Sequence, residues 1–473
     1  MKKFSLFLIP IYLCCCIFCL FACKDNEKKD IVDYYPKYNI SLKIDEENVD
    51  CSVIIDYTSN ITSDFIILQC YSLSYQNAVV DEDYIEETYP NGVNFGKTDI
   101  EDISVDEKKC EYMVNSENSS IIVYSPVEYG RNTRIKIDYK LKLANLKHRL
   151  GYYNSFYSLC SFYPYVCPII DGDYSVREYS KIGESELLHT SSFNVSVSIS
   201  NNYVLIHTGE EINKTTENKI DTYHLQANNV RDFAIMYSKN VTMRSSTENG
   251  INYKYYYQKD STPFDEIEIM KTATATYEKL FGKYGHKNLS LVLAPFPFGG
   301  MEYSEVVVVS DSLKEQSREE VIAHEIAHQW WFMKVGSDEY YSPWLDESLA
   351  EFSTALYYLD NGNGKVFELF RQRGLKELEN RLIENKRLSI KGCVNDFTSD
   401  DYSACVYTLG STMWINYYSI VGPTLTDRLK EYATLFENKI ATEKDVEEIV
   451  FKNDSATLRA WLNGEVTAVG LSS

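Results

Sequence analysis

His324 and His328, four residues apart with Glu325 between them, are the side chains in this sequence best placed to do chemistry together. On a helix, four residues advance slightly more than one turn, so both imidazoles look out from one face. Two rings so placed can bind one zinc ion, with the intervening glutamate poised over the water such a metal holds. Structural zinc sites are closed by four protein ligands, whereas a hydrolytic site uses three and keeps one position open. Glu347, in Trp344-Leu345-Asp346-Glu347-Ser348, offers the third ligand, with eighteen residues between it and His328.

An HExxH pentapeptide alone is weak, since five-residue patterns with two free positions recur by chance. Its ordinary reading is an amphipathic helix with two histidines on the polar face. Against that, the chain has only seven histidines, and two of them fall at ligand spacing. The elements that must position them are also legible. Val321, Ile322, Ile326, Ala327 and Trp330 predict a packed helix over residues 318–334, and a second helix beginning near Leu345 carries Glu347 in its first turn. Helix, loop and helix would thus deliver His, His and Glu to one point.

Three spaced motifs carry a family resemblance: His324 to Trp331 (HEIAHQWW), Trp344 to Ser348 (WLDES), and Gly299-Gly300-Met301-Glu302-Tyr303. Together they resemble the alanyl-aminopeptidase family of gluzincin zinc peptidases, which includes membrane alanyl aminopeptidase and leukotriene hydrolase. The family shows a GxMEN-type motif about twenty residues before HExxH and a glutamate eighteen residues beyond it. Tyr303 departs from the usual asparagine. The resemblance implies one zinc per chain on His324, His328 and Glu347, and peptide substrates with free N-termini. It also implies a tyrosine about sixty residues past the third ligand in a Tyr-x-x-Gly setting, which Tyr407-Thr408-Leu409-Gly410 matches, with Leu409 where lysine is common.

The chemistry assigns each group a task. Glu325 would accept a proton from water and pass it to the leaving amine. A tetrahedral intermediate also needs a donor for its oxyanion, and the resemblance implies that Tyr407 is that donor. Glu302 would pair with the substrate's α-ammonium and so fix the scissile bond one residue from the N-terminus. Gly299 and Gly300 would let substrate backbone approach as an added strand. Glu351, one turn past Glu347, could orient a ligating imidazole or simply face solvent. Some relatives add a glutamine from the N-terminal domain as a second amine anchor, but Tyr152 to Phe162 contain none.

The 473 residues are enough for two or three domains, and 44% apolar with 25% charged residues is an ordinary globular balance. A net charge of −22 makes nucleic acid an improbable partner, because phosphate backbones reward clustered Lys and Arg. Lys2-Lys3 followed by an apolar run from Phe4 to Ala22 reads as a targeting segment. Leu20-Phe21-Ala22-Cys23 resembles a bacterial lipobox, with Cys23 lipidated; an uncleaved signal anchor is the alternative, since nineteen apolar residues can just span a bilayer. Either reading puts the folded part outside the cytoplasm, anchored to the membrane. Seven cysteines lie beyond this segment without a CxxC pattern, and no disulfide is assigned.

From about residue 31 to 240 the apolar pattern alternates, as in 38–45, 51–57, 64–72, 119–124, 134–143 and 192–199, which predicts half-buried antiparallel strands. The polar run from Asn240 to Gly250 suggests a domain boundary. Beyond it come a strand at 253–258, a helix from Pro263 to about Tyr284, strands at 289–293 and 306–310, and then helices over 318–334, 345–360, 365–386, 404–420, 424–437 and 443–452. The fold class expected is α+β: an N-terminal antiparallel β saddle domain followed by a thermolysin-like mixed-sheet and helical domain. The corresponding divisions are 1–22 signal peptide, 23–32 lipidated Cys and tether, 33–242 β-domain and 243–473 catalytic domain. The resemblance covers roughly residues 33–470, and the expectation is a member without the β-sandwich and large helical domain that family members often add. The function expected is zinc-dependent removal of N-terminal residues from peptides. Its rivals are an endopeptidase with an open cleft and a non-catalytic binding or sensor protein on the same scaffold.

Overall fold

The computed structural model describes residues 35–259 and 265–466; the targeting segment and Cys23 lie outside the described residues. Among them, no helix is long and apolar enough to cross a membrane.

The first half is β-structure. An eight-stranded sheet is centred on Lys37–Asp45, Asn48–Thr58, Asn132–Lys142 and Ser191–Ser200. Strict alternation of Tyr38, Ile40, Leu42 and Ile44 buries one face of the first strand and leaves the other half-wet. The antiparallel expectation needs one correction. Lys37–Asp45 pairs in parallel with Ser191–Ser200, Lys37 opposite Ser192. Parallel neighbours need a long connection, and residues 46–190 supply it, carrying strands of smaller sheets such as Leu150–Tyr153 and Phe156–Leu159. Over 64–72, only Ile66–Gln69 is strand; Tyr71–Gln76 tightens into a buried 3-10 turn.

The polar run after Asn240 is itself a strand. Val241–Glu248 pairs with Ile251–Gln258 and forms one edge of a five-stranded mixed sheet. It is polar because an edge strand with few buried residues has little core to face. Glu266–Phe281 crosses between the parallel strands Ile251–Gln258 and Asn288–Ala294, and Val306–Ser310 follows, buried at every residue. Such fully apolar runs suit strands covered on both faces. Gly300–Tyr303 is the opposite edge, bonded to Val306–Val309 on one side only.

The helix at 318–334 departs from its prediction. An α-helix runs Glu315–Ala327, and Gln329–Lys334 continues as a π-turn with Trp331 outside helical geometry (φ −106°, ψ 35°). The buried Gln329 amide accepts from Glu305 N–H and donates to Tyr303 C=O, so it is spent on the edge-strand region. Arg231 of the β-domain takes the Phe332 carbonyl, and also those of Leu188, Lys334 and Lys439. Those pulls divert the chain straight after His328. The second helix runs Trp344–Asp360 and is buried through most of its length. Tyr402–Leu409 is again π-helical before an α-helix over Gly410–Val421.

Candidate active site

Helices Glu315–Ala327 and Trp344–Asp360 pack side by side and bring His324, His328 and Glu347 together. Their donor atoms form a nearly regular triangle: His324 Nε2 to His328 Nε2 is 3.1 Å, His324 Nε2 to Glu347 Oε2 3.2 Å, and His328 Nε2 to Glu347 Oε2 3.4 Å. A tetrahedral shell with bonds of about 2.0–2.1 Å has edges of about 3.3 Å. The donor set therefore fits zinc in size as well as in type.

Each imidazole is held from behind by a carboxylate. Asp346 Oδ1 lies 2.6 Å from His328 Nδ1, and Glu351 Oε2 lies 3.1 Å from His324 Nδ1. With Nδ1 donating to these oxygens, both Nε2 atoms turn toward Glu347. Burial works against charge on the histidines, yet the surrounding carboxylates prevail and raise both, His324 to about 10. Burial likewise works to raise Glu347, but hydrogen bonds from the two histidines hold it well below the usual carboxylate range. The point where the three donors meet thus demands positive charge, which protons supply when a metal does not.

The Tyr407 hydroxyl donates to Glu347 Oε1, and its ring stacks on His324 at 5.9 Å. Gly410 explains the Tyr-x-x-Gly spacing. A Cβ there would sit 2.5 Å from Ser348 Cβ, so only glycine lets this segment close against the helix that carries Glu347.

Glu325 points into the same cavity, of about 320 Å³, with Oε2 buried and without a hydrogen-bond partner. Burial pushes its carboxyl up to about 7 against the opposing pull of His324 and His328. Gly300 makes room for it, because a Cβ at 300 would stand 2.6 Å from Glu325 Cδ. Gly299 also lines the cavity, though a Cβ there would meet only Val321 at 3.5 Å. Glu302 is 5% exposed, and burial, reinforced by Glu184, Glu347 and Glu325, pushes its carboxyl well up. Met301 and Tyr303 belong to a hydrophobic cluster with Val306 and Val308, which is why a bulky residue is accommodated beside Glu302.

Sequence reasoning did not find Asp346, Glu184, Arg149 or Tyr402. An acid next to Glu347 in the first helical turn was a usable signal for Asp346. Nothing in the spacing around Gly183-Glu184 marks it as part of a site. In the fold its loop enters the cavity, and the Glu184 carboxylate lies within 4.8 Å of those of Glu302 and Glu347. Arg149, likewise from the β-domain, pairs with Glu184, and its Nε lies 3.1 Å from Met301 Sδ.

Comparison with known proteins places this geometry. Residues 266–462 match the Peptidase family M1 domain. The chain is 35% identical to mouse Aminopeptidase B over 156 residues (30% of this chain, 23% of that protein). It is 25% identical to Aminopeptidase N of Lactobacillus helveticus over 362 residues (70% of this chain, 42% of that protein). It therefore spans less than half the length of these relatives. In fold it resembles the M1 zinc metallopeptidase of Deinococcus radiodurans, with a TM-score of 0.68 at 14% identity, covering 93% of this chain and 95% of that one. A variant of that protein bound to a Tyr-Ser-Ala substrate is equally similar. The motifs and the donor triangle fall within or beside the stretch that matches the Peptidase family M1 domain, residues 266–462, and the chain shares its fold with M1 zinc metallopeptidases of solved structure.

Proposed function

We propose that this protein is a zinc-dependent aminopeptidase that releases N-terminal residues from peptides outside the cytoplasm, tethered to the membrane. The carrying observation is the distance from the metal corner to the acidic corner. Carboxylate oxygens of Glu302, Glu184 and the ligand Glu347 lie within 4.8 Å of one another. One residue spans about 3.5 Å, so an ammonium held by Glu302 leaves room for a single residue before its carbonyl reaches the metal. Relatives named as aminopeptidases, and a family member seen with a tripeptide, support the same reading.

His324, His328 and Glu347 would hold the zinc, which supplies Lewis acidity that polarises a carbonyl and acidifies water. Substrate backbone adds along the open edge of Gly300–Tyr303, and Glu302 with Glu184 takes the free amine. Glu325, its second oxygen unpartnered, removes the proton from the attacking water and returns it to the departing nitrogen. Tyr407 exchanges its bond to Glu347 for one to the developing oxyanion. The address outside the cytoplasm rests on Lys2-Lys3 and the apolar run to Ala22, and the tether on lipid at Cys23 or on an uncleaved anchor.

The test compares aminoacyl reporters with N-acetylated peptides of the same sequence. Cleavage confined to free N-termini is expected; a preference for blocked ends would establish an endopeptidase and overturn the role given to Glu302.

A further inference from the structure

A primary α-ammonium carries three N–H donors, as a lysine side chain does, and Glu302 and Glu184 account for two acceptors. Tyr402 also lines the cavity; it is 5% exposed, and its hydroxyl has no hydrogen-bond partner. A buried, unpaired hydroxyl is costly unless something else engages it. Two local features aim it into the cleft. The i→i+5 bonding of the π-helix Tyr402–Leu409 brings residues five apart nearly into line, so Tyr402 and Tyr407 look the same way, their rings edge-to-face at 5.8 Å. Gly183 then admits the phenol, since a Cβ at 183 would stand 2.5 Å from the Tyr402 oxygen. The hydroxyl is thus set beside the Gly183-Glu184 loop and within the field of Glu347, Glu184 and Glu302. Tyr407 is differently placed, its hydroxyl already spent on Glu347.

We propose that the Tyr402 hydroxyl is the third acceptor for the substrate's α-ammonium, completing with Glu302 and Glu184 a cage for a primary amine. The inference rests on the aminopeptidase reading and deepens it. The phenol accepts one ammonium N–H and turns its own proton toward a neighbouring carboxylate, so no net proton moves. Tyr402 is a substrate-binding residue here, and the chemical step is left to Glu325 and Tyr407.

The zinc-loaded enzyme would be assayed against a pair of competitive inhibitors, an amino-acid hydroxamate and its des-amino counterpart with the same side chain. Tyr402→Phe should weaken the amine-bearing inhibitor roughly tenfold or more, leave the des-amino one unchanged, and raise KM with kcat within about threefold. Gly183→Ala, which sets a methyl against the hydroxyl, should reproduce that selective loss without removing the phenol. Equal weakening of both inhibitors by both variants would reduce Tyr402 to packing and overturn the proposal. So would a fall in kcat at unchanged KM, which would make it an oxyanion donor. If wild type prefers the amine and Tyr402→Phe keeps the whole preference, this inference alone fails. If wild type shows no preference, the aminopeptidase reading falls with it.

Discussion

The cleft has two corners a few ångströms apart, built on opposite principles. At the metal corner every ligand is already engaged: His328 by Asp346, His324 by Glu351, Glu347 by Tyr407. At the amine corner Arg149 holds Glu184, but the carboxylates of Glu302 and Glu184 still lie within 4.8 Å of each other, and the Tyr402 hydroxyl and Glu325 Oε2 have no partner. The first corner is organised before any ligand arrives, which is how a protein holds a cation tightly. The second keeps carboxylates close together and some polar groups unpartnered, so that on the proposed function an arriving ammonium would relieve repulsion as well as form bonds. Resident metal and passing substrate are distinguished by how much of their coordination the protein supplies in advance.

The contrast can be broken most severely at the metal. Exhaustive chelation should abolish turnover and lower Tm by several degrees, because a ligand that binds only the folded state stabilises it. Calorimetry with and without restored zinc checks this, and full activity without metal would end the proposal. Glu325→Gln should keep one zinc per chain by metal analysis while losing about a thousandfold in kcat. Glu302→Gln should spare zinc content but cost about a hundredfold in kcat/KM on free N-termini, with little change in zinc affinity.

Finer effects separate the supports. Asp346→Asn should weaken zinc binding by about 10–100-fold in a chelator titration. Glu351→Gln should weaken it less, since its contact is 3.1 Å against 2.6 Å and its side chain is 21% exposed against 3%. The smallest effect concerns pH. Burial raises Asp232 to about 6, although it accepts the Ser304 backbone N–H beside the amine-corner strand. A carboxyl raised on folding binds more protons in the native state than in the unfolded one. Its contribution is therefore complete below the unfolded value near 3.9 and is lost as pH rises through 6, by as much as about 3 kcal/mol. Asp232→Asn should flatten that part of the stability–pH curve, as read by denaturant melts from pH 4 to 8.

How legible each corner was in the sequence follows from how local it is. His324, Glu325, His328 and Glu347 lie on two successive helices whose periodicity fixes their faces, and Glu302 sits in a short motif upstream. The alternating strands and apolar-periodic helices were readable because one face of each meets a core. Glu184 and Arg149 were not, because their place depends on the β-domain closing over a helix that begins at Glu315, more than a hundred residues further along the chain. Tyr402 was hidden among thirty-nine tyrosines, since its direction depends on a π-turn that apolar spacing does not announce. The strand at Val241–Glu248 read as a domain boundary because an exposed edge carries polar residues on both faces. The break after His328 comes from Gln329 and Arg231, whose partners are remote in sequence.

Arg231 also bears on how the molecule comes apart. It is 2% exposed and gives its guanidinium to carbonyls at 188, 332, 334 and 439, reaching from the β-domain into the helical half on both sides of Gly336, where a Cβ would strike it. Pulling the halves apart would strand a buried cation and leave several carbonyls dry. Melting should therefore be one cooperative event rather than two, and a fragment beginning at residue 243 should fail to hold its catalytic centre.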